Sequence, residues 1–168
     1  VIDPLNRPQK ADALGVSVSN VIFYGPPGTG KSYLAQALAS ELDVPTAILS
    51  GADMQSKWIN ESATKVNDLF SEAQRVAANE GGALIFVDEL DSVLQQRDST
   101  GNSHAEDTKV VNEFLNHLEG TNTNNIVFIG ATNRLQELDD ASTRPGRIST
   151  KIKVGKPDTE TREAILHT

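Results

Sequence analysis

The stretch Val21-Ile22-Phe23-Tyr24-Gly25-Pro26-Pro27-Gly28-Thr29-Gly30-Lys31-Ser32 decides the fold of this chain. A short, β-rich apolar run ends at glycine and proline, and Leu34, Leu38 and Leu42 then recur at helical spacing. The eight residues between strand and helix fit the phosphate-loop pattern G-x-x-x-x-G-K-[ST] in full. Glycines at these places let successive backbone N–H groups turn inward around a β-phosphate, and the helix N-terminus adds partial positive charge. Lys31 is expected to reach the β- and γ-phosphates, and the Ser32 hydroxyl to ligate Mg²⁺. A chance glycine-proline turn has no need of a strand before it and a helix after it. ATP or GTP binding is therefore expected.

Further strands are expected on both sides of this motif. Thr46-Ala47-Ile48-Leu49, Ala83-Leu84-Ile85-Phe86-Val87 and Ile126-Val127-Phe128-Ile129 are short apolar runs. Ile152 and Val154 alternate with Lys151 and Lys153, which suits a last strand at a sheet edge. Between them, Val66, Leu69, Phe70, Ala73 and Val76 define one helix stopped by Gly81-Gly82, and Val110, Val111, Phe114, Leu115 and Leu118 another closed by Gly120. Strands apolar on both faces, alternating with helices, require a parallel sheet covered on two sides. The expected architecture is a three-layer α/β fold with a five-stranded parallel sheet. Residues 95–107 are polar and read as a long loop with a job of its own.

In an open parallel sheet, ligands sit beyond the carboxyl ends of the strands. Asp88 and Glu89 end the third strand, so both face the phosphate loop. Asp88 is expected to hold Mg²⁺ through water, and Glu89 to polarise an attacking water. The fourth strand runs on to Asn133, whose amide can bond both a γ-phosphate and that water. Arg144-Pro145-Gly146-Arg147 sets two guanidiniums on a stiff turn, and phosphoryl transfer commonly uses an arginine against γ-phosphate charge. Taken alone, the asparagine and the two arginines are ordinary turn and surface residues.

Composition narrows the alternatives. The 168 residues suffice for one core, with 38% hydrophobic and 23% charged residues. A net charge of -8 argues against a surface that grips nucleic acid through its phosphates. The absence of cysteine excludes disulfides and thiolate metal sites. No apolar run is long enough to cross a bilayer, and no secretory signal opens the chain. These features lead to the expectation of a cytoplasmic protein without a membrane or nucleic-acid partner.

Together the motifs resemble the AAA family, ring-forming ATPases that include unfoldases, membrane-fusion disassemblers and microtubule severers. The resemblance runs from Asp3-Pro4-Leu5 through the phosphate loop and Val87-Asp88-Glu89-Leu90-Asp91 to Ala131-Thr132-Asn133-Arg134 and Arg144-Pro145-Gly146-Arg147. It implies ATP and Mg²⁺ as cofactors, with a nucleotide set of Pro27, Gly28, Thr29, Gly30, Lys31, Ser32, Tyr33 and Ile165, and metal contacts from Ser32 and Asp88. It implies Glu89 as catalytic base, Asn133 as sensor, and Arg144 and Arg147 as arginine fingers acting on a neighbouring subunit's ATP. Fingers in trans imply a ring, usually a hexamer, with this fragment alone expected to be monomeric. Lys57-Trp58-Ile59 resembles a first pore loop, where an aromatic residue grips a protein substrate, and residues 95–107 would form the second. The alternative for Trp58, a core position, fits poorly with its polar neighbours Lys57, Asn60 and Glu61.

The Lys57-Trp58 pair is most similar to the katanin, spastin and vacuolar-sorting ATPases and to the second ring of the valosin-containing class. The leading expectation is therefore a ring ATPase that unfolds, disassembles or translocates proteins. One alternative is the ATPase module of a membrane-bound metalloprotease, against which stand the absent His-Glu-x-x-His and the sequence Trp58-Ile59-Asn60. Another is a nucleic-acid or clamp-loading motor, which the acidic balance disfavours. Asn60 and Ile148-Ser149 depart from the family's usual residues. Residues 1–158 are expected to form the large nucleotide-binding subdomain with its N-terminal part truncated, and residues 159–168 to open a small helical lid, as in an excised core of a longer protein.

Overall fold

In a computed structural model of the protein, residues 20–57, 62–94, 105–121 and 125–166 are described. Five strands, β1 (Asn20–Tyr24), β2 (Thr46–Ser50), β3 (Ala83–Asp88), β4 (Ile126–Thr132) and β5 (Ile148–Lys153), pair in the order β2-β3-β4-β1-β5. Every pairing is parallel. The three-layer α/β expectation therefore holds, and β5 is the edge strand foreseen from its alternating lysines.

Side chains alternate across the sheet and fill two cores. On one face Ile22, Ile85, Val87, Ile126 and Phe128 pack with Val66, Phe70, Phe114 and Leu118. The helices there are α3 (Ser62–Glu80) and α4 (Ala105–Gly120), which follow α1 (Lys31–Leu42) and α2 (Gly51–Lys57) in the chain. Phe70, Phe114 and Phe128 form an edge-to-face ladder with centroids 5.5 and 5.6 Å apart, which ties both helices to β4. On the other face Val21, Phe23, Leu84, Phe86, Val127 and Ile129 pack with Ala35 and Leu42 of α1. The buried stripe of α1 therefore starts at Ala35, while Leu34, expected on it, is 38% exposed.

One boundary differs from the sequence expectation. Helix α4 begins at Ala105, so the expected loop over 95–107 ends earlier. Apolar periodicity starts only at Val110 and is blind to a polar first turn. Helix α5 (Thr159–Leu166) follows β5, and none of its residues is buried. Trp58 and Ile59 lie outside the described residues, as does most of the second expected pore loop, and Lys57 closes α2.

Candidate nucleotide site

The phosphate loop leaves β1 and enters α1 beside the point where chain connections part to opposite sides of β1. From β1 the chain crosses to β2 at one edge, and from β4 it crosses to β5 at the other. Such a switch point leaves a crevice at the carboxyl ends of the strands. A cleft of about 450 Å³ opens there, lined by residues 27–33 of the loop together with Asp88, Glu89 and Asn133. Three separate strand ends thus deliver the expected groups to one place.

Gly30 caps α1 with φ 89°, in the left-handed region that glycine adopts without steric cost. No side chain caps this helix start, and its first turn carries no acid. The positive pole of α1 therefore stays uncompensated by the protein itself and points at the cleft. Lys31 is only 6% exposed. Its ammonium donates to the carbonyls of Gly25 at 3.1 Å and Pro26 at 2.8 Å, so the loop curls around it. Burial of a lysine needs such partners.

The Ser32 hydroxyl donates to Asp88 Oδ2, and Asp88 Oδ1 accepts the Glu89 N–H at 2.8 Å. Ser32 Oγ and the Asp88 carboxylate are thus adjacent oxygen donors at the cleft floor. Such a pair fits Mg²⁺, which takes one or two protein oxygens and completes its shell with phosphate and water. Glu89 has φ 51° and ψ 46°, a left-handed backbone that costs a non-glycine residue about 1–2 kcal/mol. The turn breaks β3 away from the sheet at the acid itself and leaves its side chain in the cleft. On its other flank, a Cβ on Gly51 would stand 2.3 Å from the Glu89 carbonyl oxygen, so only glycine lets α2 start so close to β3.

Arg144, Arg147 and Ile165 are not among the residues lining this cleft. Ile148 pairs with Asn20, so Arg144-Pro145-Gly146-Arg147 lies where the strands begin, at the opposite edge of the sheet. Arg147 is held by its own chain. Its Nε donates to Glu119 at 2.8 Å, its Nη1 to the Ala141 carbonyl at 3.0 Å, and its own carbonyl accepts from Asn20 Nδ2 at 2.8 Å. Arg144 is exposed, with no side-chain bond among the described residues. Ile165 is 60% exposed on α5.

The sequence reading missed the residues that brace these groups. Asn20 also donates to Leu118 O at 2.9 Å and accepts from the Thr121 hydroxyl at 2.9 Å, all in the interior. Its polar identity at the head of an apolar strand was the available signal. Asp91 and Thr132 stood inside quoted motifs but drew no role.

Residues 21–156 match the family described as ATPase family associated with various cellular activities (AAA), and the chain belongs to it. The fold is thus that of an AAA ATPase domain, and ATP is its nucleotide. The chain is 41% identical to an ATP-dependent zinc metalloprotease FtsH of Lactiplantibacillus plantarum over 99% of its own length and 22% of that protein. It is 42% identical to the FtsH of Malacoplasma penetrans, over 99% of this chain and 20% of the relative. The figure for the FtsH of Lachnoclostridium phytofermentans is 40%, over 99% and 29%. The chain therefore spans less than a third of these relatives. They favour the metalloprotease alternative over the katanin, spastin and valosin-containing grouping. That grouping rested on a few residues around Trp58, whereas this identity runs along nearly the whole chain. The missing His-Glu-x-x-His was weak evidence, since most of each relative lies outside the matched segment. No helix among the described residues is long and apolar enough to cross a membrane.

Proposed function

We propose that this chain is the ATP-hydrolysing module of a longer ATP-dependent metalloprotease, in which turnover at the cleft drives a protein substrate. The convergence of Lys31, Ser32, Asp88, Glu89 and Asn133 on one cleft carries the reading of its chemistry. The printed names of the relatives support the coupling to proteolysis. Lys31 and the α1 N-terminus bind the phosphates. Ser32 and Asp88 hold Mg²⁺, which when bound neutralises charge on the β- and γ-phosphates. Asn133 orients the attacking water and Glu89 accepts its proton. Tyr33, 72% exposed at the cleft rim, borders the nucleotide.

Arg144 serves a neighbouring copy's ATP in a homo-oligomeric ring. Its own cleft lies across the sheet, roughly 16 Å away along a five-residue strand. Their surroundings support Arg144 over Arg147 in this role: Arg144 is exposed and its side chain bonds to no described residue, whereas Arg147 bonds Glu119 and the Ala141 carbonyl. Lys57, which closes α2, and Trp58 and Ile59, which follow it in sequence, serve as the substrate grip. Zinc chemistry belongs to other parts of the longer protein. Attachment of that protein to a membrane, as the notion of a membrane-bound protease requires, likewise rests on segments outside this chain.

The test is Glu89→Gln in the full-length protein. It should bind ATP with parental affinity while hydrolysing it at least about a hundredfold more slowly, since the amide cannot take the proton. Parental turnover would overturn the site assignment. Trp58→Ala, in turn, should keep ATP hydrolysis and stop ATP-driven degradation of a folded substrate. Undiminished degradation would remove the grip from the proposal.

A further inference from the structure

Thr132 occupies a junction that the functions above leave unused. It ends β4, is 1% exposed, and precedes Asn133. Its hydroxyl donates to Asp91 Oδ1 at 2.5 Å and accepts the N–H of Arg134 at 2.9 Å. The hydroxyl therefore ties the backbone just after Asn133 to the Asp91 carboxylate. Its carbonyl also accepts a long bond, 3.4 Å, from the N–H of Gly25 at the start of the phosphate loop. Asp91 lies in a short 3-10 turn, Leu90–Ser92, that springs directly from Glu89. That turn is closed by Ser92 N–H to Glu89 O at 2.9 Å and Val93 N–H to Leu90 O at 3.0 Å.

We propose that Asp91 and Thr132 are positioning residues that set Asn133 against Glu89 through one partly buried hydrogen bond. The inference rests on the roles given above to Glu89 and Asn133. Without the link, β3 and β4 still pair up to Val87 and Gly130, so the sheet persists. What loosens is the relative placement of the two groups that bracket the attacking water. A hydroxyl bonded to a carboxylate is among the stronger neutral-to-charged links, and its short length fits that class. Misplacing a reacting group by an ångström can cost about a hundredfold in rate while leaving ground-state binding intact.

The experiment measures kcat for ATP hydrolysis and the equilibrium affinity for ATP in the full-length protein. Thr132→Val and Asp91→Ala should each lower kcat by about ten- to a hundredfold and change ATP affinity less than about twofold. Asp91→Asn retains an oxygen acceptor and should keep the rate within about threefold of the parent. The double variant Asp91→Ala with Thr132→Val should be no slower than the slower single, because both remove one link. Parental kcat in both single variants overturns the proposal. So does a loss of ATP affinity equal to the loss of kcat, or an Asp91→Asn variant as slow as Asp91→Ala. A Thr132→Val that fails to fold leaves the Asp91 pair to decide. Glu89→Gln, assayed alongside, separates the two levels. If it turns over at the parental rate, the site reading fails and takes this inference with it. If it is inactive while Asp91→Ala is fully active, the inference alone is wrong.

Discussion

The two edges of the sheet are built on opposite rules. At the carboxyl edge, the polar groups of Ser32, Asp88, Glu89 and Asn133 face an open cleft, the helix pole of α1 carries no cap, and Glu89 holds a strained backbone. At the amino edge, Asn20 bonds Leu118, Thr121 and the Arg147 carbonyl, and the Arg147 side chain bonds Glu119 and Ala141. The first edge keeps interaction capacity for a ligand; the second converts it into a fixed turn. One consequence follows for the arginines. In the role proposed for Arg144, a finger must arrive at a neighbour's phosphate in a defined position, so the turn that carries it needs a rigid mount, and the bonds of Arg147 to Glu119 and Ala141 supply part of it.

Lys31→Ala gives the largest effect and strikes the cleft. Affinity for ATP should fall more than about a hundredfold, since a charge contact to two phosphates disappears. Thermal stability should change much less, and isothermal calorimetry with a melting curve separates the two. Equal losses in both would mean that the lysine serves the loop rather than the nucleotide.

Asn20→Ala should come next and spare the cleft. It takes the side-chain donor from the partly buried Arg147 carbonyl and removes the bonds of Asn20 to Leu118 and Thr121, which keep their own bond to each other, a loss of about 2–3 kcal/mol by chemical denaturation. ATP binding by the remaining folded protein should match the parent. If stability holds, the amino edge is not the rigid mount described here.

A smaller contrast sharpens the roles of the two arginines. Arg147→Ala should cost about 1–2 kcal/mol, because it removes a partly buried ion pair and a bond to a carbonyl. Arg144→Ala should stay within about 0.5 kcal/mol of the parent. Yet only Arg144→Ala should depress ATP turnover with folding intact, and mixed with parental subunits it should lower activity more than in proportion. Equal stability losses would erase the distinction.

The smallest effect concerns His117, stacked on Phe70 at 4.6 Å and bonded to Asn67. Burial lowers its pKa from the ordinary 6.5, with Glu113 opposing. The unfolded chain then binds the proton more readily, so stability rises with pH through the window just below 6.5 and is complete above it. His117→Phe should flatten that slope in denaturation curves between about pH 5 and 7. An unchanged slope would assign it to other groups.

The strand-and-loop motif, the three apolar runs and the acids after Val87 were enough to lay out a parallel sheet and place Lys31, Ser32, Asp88, Glu89 and Asn133 at one edge of it. Such features are local: hydrophobic period, glycine at a left-handed turn, and charge where a parallel strand must end. Helix α2 stayed hidden because seven residues carry too little periodicity, and the subgroup reading rested on a handful of side chains near Trp58, which the relatives along the whole chain do not specifically support. Only the folded chain could decide which of two arginines is free, since Glu119 and Ala141 reach Arg147 through the return of α4 and the turn before β5. The Asp91 to Thr132 bond is of the same kind. It joins positions 41 residues apart, which meet because β3 and β4 are neighbours in the sheet, and a hydroxyl and a carboxylate in sequence carry no sign of each other until pairing brings them within reach.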